Sequence, residues 1–168
     1  MAKRQIAVVG FPKCGTMSLV DYLKKEDPTA EISRPENIYI SQQRLHKVEH
    51  WHEWECYAIT RNPLDRIKSG IRYFTQLRTI PIQNILTGNF KQAKNYENVG
   101  FRHCIQQSNY KFYVERFQKR YGARVEIIKF EDLKGKLPHV NKTESDRIIT
   151  KDEERMIKEA LEKAHIYY

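Results

Sequence analysis

The chain has 168 residues, with 30 Lys and Arg against 21 Asp and Glu, a formal net charge of +9. Its 40% hydrophobic and 30% charged composition fits a soluble globular protein, read here as one domain over residues 1–168. No apolar run nears the length of a membrane span, Met1-Ala2-Lys3-Arg4 leads into a strand rather than a signal peptide, and the odd, scattered Cys14, Cys56 and Cys104 predict reduced thiols and a cytoplasmic setting. The positive charge predicts an anionic partner. Because the basic residues spread along the chain instead of forming one tail, nucleic acid is disfavoured.

In chain order, the first element is the apolar run Ile6–Val9, the pattern of a strand covered on both faces, spanning about 5–10. Gly10 and Gly15 then bracket a loop, and Thr16 and Ser18 open a helix that runs through Leu19, Val20 and Leu23 to about Lys25, before the Asp27-Pro28 break. A helix start offers unpaired N–H groups and a partial positive charge; Lys13 adds a full one. The expected ligand is a phosphate or similar oxyanion. The glycines keep the G-x-x-x-x-G spacing of the nucleotide-binding P-loop, but Thr16 stands where its lysine belongs and Lys13 lies inside the loop. Such a loop is poorly built for ATP hydrolysis and suits a nucleotide with another group on its 5′ end.

The run Phe11-Pro12-Lys13-Cys14-Gly15-Thr16-Met17-Ser18-Leu19 resembles the 5′-phosphosulfate loop, P-K-x-G-T-x-[SW]-L, of sulfotransferases that use PAPS (3′-phosphoadenosine 5′-phosphosulfate). The resemblance implies an α/β fold, a three-layer α/β/α sandwich with a mainly parallel, P-loop-like sheet. Lys13, Cys14, Gly15, Thr16, Met17 and Ser18 would form the cofactor loop, with Lys13 also catalytic.

Next comes Arg34-Pro35-Glu36, followed by alternating Ile38 and Ile40, a short extended piece. Carbohydrate-type members of the family carry a general-base glutamate in a comparable place, and Glu36 is the nearest match; a solvated loop glutamate is the equal competing reading. His46, His50 and His52 cluster after a polar helix-like segment. His46 and His50 have helical i, i+4 spacing, but the H-E-x-x-H order is missing, so no metal is expected. The resemblance makes His50 or His52 the alternative base, since cytosolic sulfotransferases use a histidine.

A second buried strand, about 56–60, leads into Arg61-Asn62-Pro63-Leu64-Asp65-Arg66, with Ser69 two turns into the following helix. An arginine at a strand's carboxyl end grips phosphate with paired donors. The stretch resembles the family's 3′-phosphate motif, R-[ND]-P-x-[DE]-R-x-x-S, which assigns Arg61 and Ser69. Residues 79–98 predict loops and short helices. His103 and Gln107 resemble an H-x-x-Q segment, with capping or packing as the competing role, and a helix is expected over 108–121. A third strand, about 124–130, ends in Phe130-Glu131-Asp132-Leu133, like the family's F-E-D-L. Leu137-Pro138-His139-Val140-Asn141-Lys142-Thr143 resembles L-P-H-x-N-K-[ST], which places Asn141, Lys142 and Thr143 over the nucleotide. Thr150 and Glu153 have capping-box spacing before a terminal amphipathic helix.

Sulfuryl transfer from PAPS to a hydroxyl of a small molecule or glycan, with PAP as product, is therefore the expectation; a carbohydrate acceptor is favoured by Ser18 and the 137–143 run. The competing readings are a small-molecule kinase with a divergent P-loop and a non-enzymatic basic module for nucleic acid or anionic glycan.

Overall fold

The computed structural model describes residues 3–11, 13–33, 53–90, 101, 103–133, 135–137 and 145–166. Four strands, β1 (Gln5–Gly10), β2 (Glu31–Ser33), β3 (Glu55–Thr60) and β4 (Val125–Lys129), form one sheet in the order β2-β1-β3-β4. Every pairing is parallel, with registers such as Gln5 opposite Glu31, Gly10 opposite Ile59 and Cys56 opposite Val125. The helices are α1 (Thr16–Glu26), α2 (Pro63–Tyr73), α3 (Ile82–Thr87), α4 (Tyr110–Tyr121) and α5 (Lys151–Lys163). This is the α/β class expected, with a parallel sheet flanked by helices and a P-loop-like strand, loop and helix at the start. Among the described residues no helix is long and apolar enough to cross a membrane.

The chain divides into two compact units. One holds residues 1–61 and 110–140, the other 62–109 and 141–168. The first contains the sheet. Ile6 to Gly10 are all buried, so β1 is covered on both faces, as its unbroken apolar run requires. Leu19 and Val20 of α1 and Val114 and Phe117 of α4 join Val8, Val9, Ala58 and Ile59 in one core. β4 buries only Val125, as suits an outer strand of the sheet.

In the second unit, Ile67 and Ile71 of α2, Ile85 of α3 and Ile157 and Leu161 of α5 are buried together with Phe101. Asn62 caps α2 by accepting the Asp65 N–H at 3.2 Å, with Pro63 in the first turn. The capping box of α5 is complete: Thr150 Oγ1 accepts the Glu153 N–H at 3.2 Å and Glu153 accepts the Thr150 N–H at 3.0 Å. Arg66 is fully buried; it donates to the Cys104 carbonyl and, at 2.8 Å, to Ser108 Oγ.

Two boundaries differ from expectation. The helix expected from Ser108 starts at Tyr110, because residues 106–108 form a 3₁₀ turn in which Ser108 Oγ donates to the Cys104 carbonyl at 2.9 Å and receives Arg66. A strand also lies at Glu31–Ser33. Asp27 turns the chain into it by accepting the Thr29 and Ala30 N–H groups. The extended piece expected at 38–40 lies outside the described residues.

Candidate functional site

The strand order places a switch point between β1 and β3. From β1 the chain first crosses to β2 on one side, then returns to add β3 on the other. Connections that diverge in this way leave a crevice at the strands' carboxyl ends, where open α/β sheets bind ligands. The loop after β1 and the residue after β3 both lie there, and they carry Lys13 and Arg61.

The loop is held in a form that glycine makes possible. Gly15 has φ +94°, and a Cβ there would come within 2.7 Å of the Phe130 ring. Lys13 is itself left-handed, with φ +67°, a conformation unusual for a residue with a side chain. The Cys14 N–H closes the turn on the Phe11 carbonyl at 3.2 Å. Helix α1 then begins with Gly15 as N-cap and no side-chain cap, and its first intrahelical bond runs from the Leu19 N–H to the Gly15 carbonyl. The leading N–H groups, from Thr16 to Ser18, are those a helix cannot satisfy internally. Ser18 is buried, Thr16 half-buried and Met17 exposed.

Arg61 reaches across to this loop. Its Nη1 donates to the Lys13 carbonyl at 3.3 Å, and its guanidinium lies 5.0 Å from the centre of the Phe130 ring. The Lys13 amine is pushed down to about 8 by burial and by the Arg61 charge beside it. Two cations drawn together in a partly desolvated corner favour an oxyanion strongly.

Tyr110 and Phe130 complete the corner, and the sequence reading did not assign either to it. Tyr110, first residue of α4, donates its hydroxyl to the Arg61 carbonyl at 2.8 Å and accepts the Cys14 thiol at 3.6 Å. Its ring meets Phe11 edge-on at 4.7 Å. Tyr110 is half-buried against the core of the first unit, and helical periodicity carries no sign of where a hydroxyl points. Phe130 belongs to a motif the sequence does single out; what it touches depends on where β4 delivers it.

Lys13, Cys14, Gly15, Thr16, Met17, Ser18 and Arg61 are thus gathered in the first unit. Ser69 lies half-buried on α2 in the second unit. His103 is exposed and Gln107 buried there. Glu36, His50, His52, Asn141, Lys142 and Thr143 lie outside the described residues.

Fold and corner together define a parallel α/β protein with two basic residues, Lys13 and Arg61, at its switch point. No protein-family model matches the chain, and no curated protein matches it by sequence. Its architecture has a solved counterpart in the crystal structure of a sulfotransferase from Alicyclobacillus acidocaldarius. The two align over 99% of this chain and 96% of that one, with a TM-score of 0.56 and 16% identity. The chain shares that protein's fold.

Proposed function

We propose that the protein transfers a sulfuryl group from PAPS to an acceptor hydroxyl on a carbohydrate, as a cytoplasmic enzyme working without a metal. The observation that carries this reading is the pairing of Lys13 and Arg61 at the β1–β3 switch point, in a loop whose lysine precedes Gly15 instead of following it. A nucleotide with anionic groups at both its 5′ and 3′ positions offers one to each of two neighbouring cations carried by different loops. The fold shared with a solved sulfotransferase adds support.

In this reading the N–H groups from Gly15 to Ser18 hold the 5′-phosphate. The acceptor oxygen attacks sulfur, the bond from sulfur to the bridging phosphate oxygen breaks, and PAP leaves. Lys13 neutralises the charge that gathers on that oxygen. Arg61, which commits one of its donors to the Lys13 carbonyl, presents the others to the 3′-phosphate. The shares given to Ser69 and to Asn141, Lys142 and Thr143 in nucleotide binding, and to Glu36, His50 or His52 in taking the acceptor proton, rest on the sequence resemblance.

Calorimetric titration with PAP, with 5′-AMP and with ATP plus magnesium, at one salt concentration, tests the reading. PAP should bind without metal and well ahead of AMP. Preference for ATP with magnesium would replace the proposal with a kinase. Failure of all three, with steeply salt-dependent binding of polyanions, would replace it with a basic binding module.

A further inference from the structure

Lys13 and Arg61 come from different strands' loops, and each has a flexible side chain. Selecting a nucleotide by two anionic groups requires the two cations to keep a fixed separation. The contacts that could fix it form a closed ring. Tyr110 Oη donates to the Arg61 carbonyl at 2.8 Å. Arg61 Nη1 donates to the Lys13 carbonyl at 3.3 Å. Cys14, covalently next to Lys13, donates its thiol back to Tyr110 Oη at 3.6 Å. The Tyr110 ring adds an edge-on contact to Phe11, on the other side of Lys13.

We infer that Tyr110 is a positioning residue, whose hydroxyl locks the Lys13 loop to Arg61 and so sets the spacing by which the site selects a nucleotide bearing both 3′- and 5′-phosphates. A phenol hydroxyl is suited to this because it donates and accepts at once. Here it accepts from one side of the corner and donates to the other. Its donor also satisfies a carbonyl next to the guanidinium, which keeps the Arg61 backbone from turning away. Neither Tyr110 nor Cys14 needs to touch the substrate through its side chain for this role.

The inference rests on the proposed nucleotide, so its test carries a readout that does not. The variant is Tyr110→Phe, which keeps the ring on Phe11 and removes only the hydroxyl. Two quantities are measured in parent and variant: the ratio of PAP to 5′-AMP affinity by calorimetry, and the pH dependence of Lys13 acetylation by acetic anhydride, followed by peptide mass spectrometry. Loss of the hydroxyl should narrow the affinity ratio roughly five- to tenfold, the scale of one net hydrogen bond. AMP binding should barely change. The Lys13 midpoint should move up from about 8 toward its ordinary value of 10.5, as Arg61 drifts off and water enters. Cys14→Ala, which removes the other arm of the lock, should move both readouts in the same direction, and Cys14→Ser, which restores a donor, should return them.

The outcomes separate the two ideas. A parent that prefers PAP, with a variant that keeps both the preference and the Lys13 midpoint, overturns the lock and leaves the enzyme reading standing. A parent that binds neither nucleotide, with a variant whose Lys13 midpoint still rises, overturns the enzyme reading and supports the lock. Equal weakening of PAP and AMP with a large fall in melting temperature makes Tyr110 a packing residue, and the inference fails.

Discussion

A side chain at φ +67° costs Lys13 about 1–2 kcal/mol relative to the right-handed region. Arg61 and the Cys14–Phe11 turn hold the backbone there, so the strain is met by contacts on either side of the residue. Lys13→Ala keeps the same backbone requirement and removes the amine together with its aliphatic stem. In the proposed transfer the amine's strongest interaction forms as charge develops on the leaving oxygen, so turnover should fall about a hundredfold or more while PAP affinity falls far less. Steady-state kinetics beside PAP titration checks this; equal losses in both would make Lys13 a binding residue only. Gly15 shows the opposite economy of side-chain space. It must be glycine twice over, for its torsion and for the Phe130 ring that occupies the place of a Cβ.

Among the elements, α5 shows how charge organises the second unit. Glu154 binds Lys68 of α2 at 2.8 Å and Lys158 one turn along its own helix at 3.0 Å. These partners, Lys68 foremost, pull its carboxyl down to about 2 from an ordinary 4.5. The folded value is the lower, so the contribution is complete above about 4.5 and disappears as pH falls toward 2. Glu154→Gln should therefore be less stable than the parent at neutral pH, with the difference closing across that acid window. Urea unfolding at several pH values would show it; a gap independent of pH would mean the ion pair is not its source. The pair is partly exposed, so the effect is expected to be modest and to shrink with salt. Arg66 on α2 has a different place. It belongs to the same motif as Arg61, but it is fully buried and donates to the Cys104 carbonyl and Ser108 Oγ.

For the molecule as a whole, the chain passes between the two units after Arg61, after Asn109 and after Val140. We propose that residues 1–168 nonetheless unfold as one domain. Cys56 in the first unit and Cys104 in the second report on it. Both are buried, and burial pushes both thiols up to about 11, so neither should be alkylated in the native state near pH 8. Under iodoacetamide, both should become reactive at the same denaturant concentration. Separate thresholds would show two independently folding parts.

The sequence by itself determined three of the four described strands nearly to the residue and the loop with Lys13 and Gly15, and the resemblance its motifs carry implied the α/β class. These are local matters: an unbroken apolar run, a glycine pair and a capped helix start each write their reason into adjacent residues. It also marked Arg61, because a strand end followed by Asn62-Pro63 is a local signal too. Tertiary structure alone decided that β2 lies at Glu31–Ser33, since three residues are too few for a period and its place comes from pairing with β1. It alone split the two arginines of one motif into a half-buried Arg61 set against the Lys13 carbonyl and a fully buried Arg66, and it alone brought Tyr110 and Phe130 to the corner. Those roles depend on hydrogen bonds made across gaps of 38 to 96 residues. No periodicity in the chain records contacts at that distance, because they are fixed by which strands lie side by side in the sheet.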